Sequence, residues 1–424
     1  MKGNKMKVEE RIKSFYEKGL GLFVHYGPYI QYEHGEWAMR LRNMDEKLYE
    51  KKALECCYSS FRAENLIQAA KAAGAKYLTF TARHHDGFSM YDTRGLSEYD
   101  VMHTPGGRDI LKEWIDACHE NDILPFVYHT TLDWHHEAFD RDFKEYLKYL
   151  RQSVEIICRN YGTIGGFWFD GNWSKPEEDW ELDELYKIIR KYQPDAIIIN
   201  NTGLDEPGVF GHREIDCVTF EQGQAQRLNC KDKEKYYMGE MCYPINDHWG
   251  IADDINCKSI RQILKSMLQA RNAGGNFLLG VGAKLDGSLS TIHMGFLEEI
   301  GTWIKENEDV FYSALPCDVK GFLPDFCLSQ QNTLYAVVME PGTWGDECVL
   351  KTTARNYSVF ENLDADIEKV IWKDTGREAD YTYDAEKKRL FLKPEPFSYG
   401  YGRIIRVAEI QCRQIRNLHT IYEE

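Results

Sequence analysis

The stretch ENLIQAAKAAGAKYLTFTARHH (64–85) contains a helix, the end of that helix and a buried strand, in this order. Small and apolar residues recur between Leu66 and Ala73 at the 3.6-residue spacing of one helix face, and Gly74 is typical of a residue that ends a helix. KYLTFTA (76–82) is a short, continuous apolar run, which predicts a strand buried on both faces. A helix followed by such a strand is the repeating unit of a parallel sheet covered by helices.

The same alternation extends through the first three quarters of the chain. Seven further apolar runs predict strands: LGLFVHY (20–26), ILPFVYH (123–129), IGGFWFD (164–170), DAIIIN (195–200), EIDCVTF (214–220), KYYMGEM (235–241) and NFLLGVG (276–282). Eight strands with amphipathic segments between them predict a closed (β/α)8 barrel. The segments on either side of the sixth strand are too short and irregular for ordinary helices, so we expect a distorted TIM-like barrel of the α/β class.

The sequence pattern changes after Leu315. Short stretches of alternating polar and apolar residues follow, separated about every ten residues by turn-forming residues, which is typical of an antiparallel β-sandwich. We therefore predict two domains, a (β/α)8-like barrel over residues 1–315 and a small all-β sandwich over residues 316–424.

Composition disfavours several classes of function. The chain of 424 residues carries 52 Lys and Arg against 68 Asp and Glu, a formal net charge of −16, so we expect no nucleic-acid partner. No stretch approaches the ~18 uninterrupted apolar residues of a membrane span, so we expect no membrane partner. The charged, helical start lacks the apolar segment of a signal peptide, so we expect a cytoplasmic protein. The oligomeric state stays open.

Polar, titratable residues recur at the C-terminal ends of the predicted strands, where the βα loops of such a barrel converge. They are His25, His84, His85, His129, Asp170, Asn200 and Glu221, with Glu240 near the end of the seventh strand. One such residue is most often a cap or a turn former. Their recurrence on seven strands out of eight predicts a polar pocket at the mouth of the barrel.

Two chemistries fit this pattern poorly. Metal-dependent hydrolysis in such barrels needs His-x-His on the first strand, whereas the first strand here has only His25. The adjacent His84 and His85 point to opposite faces of an extended chain, so they cannot easily bind one ion together. Phosphate chemistry needs a glycine-rich loop, and neither the GxGxxG nor the P-loop pattern occurs. We therefore expect no metal site.

Glycoside hydrolysis fits the pattern better. It needs two carboxyl groups on opposite sides of the glycosidic oxygen, one as nucleophile or base and one as acid. Asp170 ends an otherwise apolar strand between Trp168 and Trp173, so its carboxylate is held in place and partly desolvated. Glu221 and Glu240 come from neighbouring strands, and either could supply the proton. Aromatic residues lie among all of these, as expected of a site for carbohydrate.

Five segments occur in a specific order along the chain. They are FVHYGPYIQYEHGEW (23–37), AGAKYLTFTARHHDGF (73–88), GGFWFDG (165–171), MCYPINDHWGI (241–251) and NAGGNFLLGVGAKLDG (272–287). Together they resemble the α-L-fucosidases of glycoside hydrolase family 29, and HHDGF is the most specific part of the match. The resemblance implies an exo-acting enzyme that needs no cofactor and releases terminal α-L-fucose from fucosylated glycans with retention of configuration. It also implies a C-terminal β-sandwich.

The resemblance assigns roles to individual residues. Asp170 matches the nucleophile of the family, and Glu221 matches a glutamate that serves as acid/base in many members, so we prefer Glu221 over Glu240 for that role. The residues that match fucose-binding positions are His25, Glu36, Trp37, His84 and His85. His129 falls where the family often has a tyrosine that touches the sugar. Three further residues that we expect at the substrate are Trp168, Trp173 and Glu240.

Departures from the family pattern leave the specificity open. Tyr26 stands where tryptophan is usual, and INNTG (199–203) replaces a segment that carries a sugar-binding arginine in some members. One alternative is a hydrolase for a fucose-configured sugar such as a galactoside. Another is a catalytically silent carbohydrate-binding protein on the same barrel, although the carboxylates of Asp170 and Glu221 argue against it.

Overall fold

The computed structural model describes residues 8–202, 206–346, 348, 352–401, 403–416 and 418–422. Eight parallel strands close into a barrel in sequence order. They are β1 Leu20–His25, β2 Tyr77–Arg83, β3 Leu124–Thr130, β4 Gly166–Asp170, β5 Ile197–Asn201, β6 Cys217–Glu221, β7 Met238–Pro244 and β8 Gly275–Gly282. The predicted TIM-like barrel is confirmed.

Helices follow most of the strands. In the described residues the α-helices are α1 Glu10–Tyr16, α2 Ala38–Leu41, α3 Glu46–Glu55, α4 Ala63–Ala73, α5 Ile110–Glu120, α6 Ala138–Arg141, α7 Phe143–Asn160, α8 Leu182–Tyr192, α9 Ile260–Asn272 and α10 Thr291–Glu306. Within the described parts of the two connections around β6, no helix occurs, as the irregular sequence there predicted. None of the described helices is both long and apolar enough to span a bilayer.

The barrel has an aromatic interior. Because successive side chains of a strand point to opposite faces, Leu22 and Val24 of β1 pack outward against the helices, while Phe23 points inward. The Phe23 ring lies 5.0 Å from that of Trp168 and 5.7 Å from that of Tyr128. These rings fill the barrel and form an apolar floor beneath its C-terminal mouth.

The sixth and seventh strands begin later than predicted, at Cys217 and Met238. Apolar residues just before each strand, such as Ile215 and Tyr236, are also buried, so hydrophobicity alone did not locate the strand starts. The displacement matters for Glu240, which is the third residue of β7. The prediction that Glu240 lies near the end of its strand is therefore wrong.

The C-terminal region is an antiparallel β-sandwich, as predicted. The strands of this region are β9 Leu315–Pro316, β10 Lys320–Gly321, β11 Phe326–Gln330, β12 Thr333–Val338, β13 Thr343–Trp344, β14 Ser358–Glu361, β15 Ala365–Trp372, β16 Tyr381–Asp384, β17 Arg389–Leu392, β18 Phe397–Ser398 and β19 Arg406–Ile415. Of these, β13 and β18 form a separate parallel pair. A sheet in the order β15-β19-β12-β11-β9 shares an apolar core, including Trp372 and Phe360, with a sheet in the order β10-β14-β17-β16. The predicted boundary between residues 315 and 316 falls within β9.

A buried carboxylate secures the N-terminal helix below the barrel. Asp216, immediately before β6, is fully buried. Three cations contact it: Arg11 of α1 at 2.9 Å, Arg190 of α8 at 2.6 Å and Lys235 at 2.7 Å. A buried charge with partners of this kind is costly to leave unpaired.

Arg271 of α9 holds the same helix from another side. Its guanidinium donates to the backbone oxygen of Tyr16 at 3.0 Å and lies 3.6 Å from the centre of the Tyr16 ring. It also donates to the backbone oxygen of Phe311 at 2.8 Å. Helix α1 is thus fixed by residues that are distant in the sequence.

Candidate active site

A pocket of about 100 Å³ lies at the C-terminal ends of the barrel strands. The residues that line it are Phe23, His25, Glu36, Trp37, His84, His85, Tyr128, Trp168, Asp170, Trp173, Glu221 and Trp249. Pockets for drug-sized ligands measure ~300–1,000 Å³, so this pocket suits a single small ring. Its lining combines an aromatic surface with three histidines and three carboxyl groups.

Asp170 is the last residue of β4, and the chain turns sharply after it. Gly171 has a φ of 113°, and a Cβ at this position would lie 2.5 Å from the backbone nitrogen of Leu132. Glycine therefore permits both the backbone conformation and the close approach of the neighbouring loop. The turn brings back Trp173, whose indole N–H donates to Oδ1 of Asp170 at 2.8 Å.

Further groups surround the Asp170 carboxylate. The Tyr128 hydroxyl donates to Oδ2 at 3.1 Å, and Nε2 of His85 lies 3.3 Å from the same oxygen. Burial raises the pKa of the Asp170 carboxyl, but the contacts with His85, Trp173 and Tyr128 outweigh burial and bring the pKa below its ordinary value. Asp170 is therefore ionised at neutral pH, as a nucleophile must be.

Glu221 is the last residue of β6 and has the opposite electrostatic environment. Burial, followed by the negative charge of Asp170, raises the pKa of the Glu221 carboxyl to about 7. This carboxyl can therefore carry a proton at neutral pH and can also lose it, which a general acid/base requires.

A single side chain, Asn201 of β5, joins the two carboxyl groups. Its Nδ2 donates to Oδ1 of Asp170 at 3.3 Å and to Oε2 of Glu221 at 2.6 Å, so these two oxygens are at most about 5.9 Å apart. Retaining glycosidases have carboxyl groups about 5–5.5 Å apart, whereas inverting enzymes leave about 6.5–9.5 Å for a water molecule. The separation fits the retaining class.

His25 and His84 line the pocket as neutral rings. Burial lowers the pKa of His25 to about 3 and that of His84 well below its ordinary value. Nδ1 of each ring has no hydrogen-bond partner among the described residues. His85 differs, because its Nδ1 is paired with the Thr130 hydroxyl at 2.7 Å while Nε2 faces Asp170.

Glu36 connects two loops at the pocket. Its Oε2 accepts hydrogen bonds from the backbone N–H groups of Trp249, at 3.0 Å, and Gly250, at 2.7 Å. The Trp249 ring stacks on His25 with ring centres 5.5 Å apart. Trp37 is stacked 6.3 Å from Trp173 on the Asp170 side of the pocket. Such aromatic faces can pack against the C–H groups of a sugar ring.

His129 lies outside the pocket, which corrects the sugar contact predicted for it. It is fully buried between the barrel and α7, where Nε2 is paired with the Ser153 hydroxyl at 2.7 Å. The preceding residue, Tyr128, faces the pocket instead, because neighbouring side chains on β3 point to opposite faces. The tyrosine that contacts Asp170 is thus Tyr128, one position before His129, for which the sugar contact was predicted.

Glu240 also lies outside the pocket lining, although we predicted it at the substrate. It is fully buried inside the barrel, where it accepts hydrogen bonds from the Tyr77 hydroxyl at 2.6 Å and the Trp168 indole N–H at 2.9 Å. Burial raises the pKa of its carboxyl to about 7. Glu240 therefore affects the pocket only indirectly, because it hydrogen-bonds to Trp168, which lines the pocket.

Three residues that line the pocket or contact its carboxyl groups were not predicted from the sequence: Tyr128, Asn201 and Trp249. Two-residue alternation from the inward Phe126 would have selected Tyr128, and the same rule from Ile199 would have selected Asn201. Trp249 follows β7 in a loop, where no such periodicity applies. Of the residues predicted at the barrel mouth or at the substrate, all but His129, Asn200 and Glu240 line one pocket. Asn200 points outward, where its Nδ2 donates to the Tyr186 hydroxyl at 2.7 Å. Across the described residues, no group of three or more His, Cys, Asp or Glu could hold a metal ion.

Comparison with known proteins gives a consistent picture. A sequence model of the family described as alpha-L-fucosidase matches residues 2–309. Tissue alpha-L-fucosidase of Rattus norvegicus is 26% identical over 339 residues, which cover 72% of this chain and 71% of that protein. Alpha-L-fucosidase isoenzyme 1 from Paenibacillus thiaminolyticus superposes with a TM-score of 0.79 at 26% identity, over 96% of this chain and 99% of that one.

A third similar protein has a crystal structure in which a covalent intermediate is trapped. It is a glycoside hydrolase family 29 alpha-L-fucosidase from Bacteroides thetaiotaomicron, trapped as a covalent intermediate with 2-fluoro-fucosyl fluoride. It superposes with a TM-score of 0.77 at 20% identity, over 97% of this chain and 98% of that one. The match to the family model spans well over half of the sequence, and it confirms the resemblance to the α-L-fucosidases that the sequence motifs indicated. The chain therefore belongs to the alpha-L-fucosidase family.

Proposed function

We propose that this protein is a retaining exo-α-L-fucosidase in which Asp170 is the nucleophile and Glu221 is the acid/base. One observation carries the proposal: the two carboxyl groups share the Asn201 amide, which limits the distance between the bonded oxygens to about 5.9 Å. The pKa of Asp170 is lowered and that of Glu221 is raised to about 7, so one group is ionised while the other holds a proton. A retaining glycosidase needs this separation and this division of charge.

In the first step, a carboxylate oxygen of Asp170 attacks the anomeric carbon of the fucosyl residue. The bond from this carbon to the glycosidic oxygen breaks, and Glu221 gives its proton to that oxygen, so that the rest of the glycan leaves as an alcohol. The product on the enzyme is a fucosyl ester of Asp170, and Glu221 is now a carboxylate.

In the second step, Glu221 takes a proton from a water molecule as the water oxygen attacks the anomeric carbon. The ester bond to Asp170 breaks, fucose is released, and both carboxyl groups return to their starting protonation states. Two displacements at one carbon restore the original configuration.

The rest of the pocket can bind one sugar residue. The neutral rings of His25 and His84 can exchange hydrogen bonds with hydroxyl groups, and the aromatic residues can cover the apolar face and the methyl group of fucose. The small volume and aromatic floor leave room for a terminal residue, which supports exo action.

Hydrolysis of nitrophenyl α-L-fucoside, followed by proton NMR of the sugar as it is released, tests the proposal. We expect α-L-fucose to appear first and its β anomer to appear later by mutarotation. The matched substrate is nitrophenyl α-L-galactoside, which adds one hydroxyl group at C6. An aromatic surface around the methyl group should disfavour it by about 10- to 100-fold. β-L-Fucose as the first product would contradict the retaining mechanism, and binding without release would favour the silent carbohydrate-binding protein.

A further inference from the structure

The Asn201 amide lies between the two carboxyl groups of the pocket. Asn201 is 1% exposed and is the register partner of Asp170 across β4 and β5. One hydrogen of its Nδ2 goes to Asp170 at 3.3 Å and the other goes to Glu221 at 2.6 Å. In the part of the chain that the structure describes, no other side chain hydrogen-bonds to both carboxyl groups.

A second contact fixes which end of the amide faces the carboxyl groups. The hydroxyl of Thr219, on β6, donates to Oδ1 of Asn201 at 2.7 Å. If the amide were rotated by half a turn, its oxygen would face the ionised carboxylate of Asp170, which can only accept, and would lose the hydrogen bond from Thr219. Thr219 therefore keeps the two N–H groups directed at Asp170 and Glu221.

The negative charge of the site changes place during the reaction proposed above. Asp170 carries it at the start, but loses it when the fucosyl ester forms, and Glu221 then carries it after giving up its proton. The second step returns the charge to Asp170. An amide that donates to both groups can stabilise the carboxylate in each state, because hydrogen bonds to ionised acceptors are the stronger ones.

We propose that Asn201, held by Thr219, is a positioning residue that sets the distance between the nucleophile and the acid/base and stabilises whichever of them is ionised. This inference rests on the proposed function for the roles of Asp170 and Glu221. It goes beyond that function by assigning a role to a neutral side chain, which stabilises the negative charge first on Asp170 and then on Glu221.

The neutrality of the donor matters for Glu221. The titratable groups that face Glu221 are Asp170 of β4, Glu36 of the loop after β1, Tyr128 of β3 and Cys242 of β7, all neutral or negative. A cation in place of Asn201 would favour the ionised form of Glu221 and would remove the proton that the first step needs. An amide bonds to the carboxyl group without adding a net charge.

The kinetic test compares Asn201→Ala with Asn200→Ala. Asn200 is the adjacent residue, equally buried, but its amide points outward and donates to the Tyr186 hydroxyl at 2.7 Å. Asn201→Ala should lower kcat/KM by about 10- to 100-fold. It should also move both limbs of the pH profile to higher pH, by about half a unit or more, because each carboxylate loses a donor. Asn200→Ala should leave both limbs in place.

A second pair of variants keeps Asn201 intact. Thr219→Val removes the hydroxyl that orients the amide, whereas Thr219→Ser retains it. We expect Thr219→Val to move both limbs in the same direction as Asn201→Ala but by less, and Thr219→Ser to match the wild type. Identical pH profiles for Thr219→Val and Thr219→Ser would overturn the inference even if Asn201→Ala failed to fold.

A titration without substrate separates this inference from the proposed function. Glutamate labelled with carbon-13 at the side-chain carboxyl is followed by NMR, and the Glu221 signal is the one lost in Glu221→Gln. Its midpoint should rise in Asn201→Ala and stay unchanged in Asn200→Ala. An unchanged midpoint in folded Asn201→Ala would overturn the inference. A raised midpoint in Asn201→Ala, together with a wild-type protein that releases no fucose, would overturn the proposed hydrolase activity while supporting the stabilisation of ionised Glu221 by Asn201.

Discussion

Replacing Glu221 with glutamine removes the ability to transfer a proton but keeps a side chain of similar shape in the pocket. The amide of glutamine has nearly the shape of a protonated carboxyl group, and its oxygen can still accept the Asn201 hydrogen bond that measures 2.6 Å in the wild type. Because the pKa of Glu221 is raised to about 7, the wild-type group is protonated below neutral pH. There the two side chains differ chiefly in that glutamine cannot give up a proton.

The size of the expected loss depends on the leaving group. General acid catalysis contributes about 10²–10⁴-fold to a rate, or about 2.7–5.5 kcal/mol of activation free energy. We expect this full loss with fucosides whose leaving group is a sugar alcohol. Nitrophenolate leaves without protonation, so the first step with the nitrophenyl fucoside should slow by less than about tenfold. The second step lacks its base, so a burst of nitrophenol should precede slow turnover.

The assay is kcat/KM for a series of aryl and sugar fucosides, measured across neutral pH. Wild-type activity should fall as the pH rises through about 7, because Glu221 must be protonated for the first step, and Glu221→Gln should lack this fall. Glu240→Gln is the control, since Glu240 has a pKa raised to the same value but lies beneath Trp168, outside the pocket. Leaving-group dependence in Glu240→Gln and not in Glu221→Gln would refute the assignment.

Four further outcomes are expected. Asp170→Gly should lose at least about a thousandfold in kcat and form an inverted fucosyl azide when azide is added; activity above about a tenth of wild type, a loss below ~1.4 kcal/mol, would contradict the nucleophile assignment. Activity should survive EDTA, and loss on chelation with recovery on adding zinc would point to a metal site. His84→Gln should raise KM for the nitrophenyl fucoside several-fold, whereas His129→Gln should change KM by less than about twofold in the enzyme that remains folded. Asp216→Asn should lower the free energy of unfolding in urea by about 3–5 kcal/mol because three cations lose a buried partner, while the exposed Asp195→Asn should leave it unchanged.

The barrel could be predicted because its strands and helices have distinct local patterns. Continuous apolar runs such as KYLTFTA (76–82) mark strands covered on both sides, and the helix before it ends at Gly74, where the φ of 74° is one that glycine adopts readily. The position of Asp170 at the pocket was also predictable, since it ends an apolar strand next to Gly171. These signals are contained in a few neighbouring residues.

The remaining parts of the site depend on contacts between distant segments. Glu240 was misplaced because the apolar run continues before β7, so the register comes from pairing with β6 and β8 rather than from hydrophobicity. His129 and Tyr128 have equally suitable chemistry, and only the alternation fixed by barrel closure decides which one faces inward. The role proposed for Asn201 depends on its contacts with Asp170 and Glu221, which come from two other strands, so the sequence around Asn201 alone does not indicate it.

The anchoring of helix α1 has a consequence for the order in which the chain can mature during synthesis. Arg11 reaches its partner Asp216 across 205 positions of sequence, and the contact of Tyr16 with Arg271 spans 255. Because a nascent chain emerges from its N-terminus, α1 leaves the ribosome long before either partner exists. We expect this helix to stay sensitive to proteases in ribosome-bound chains that end before β6, and to become protected only once α9 has emerged.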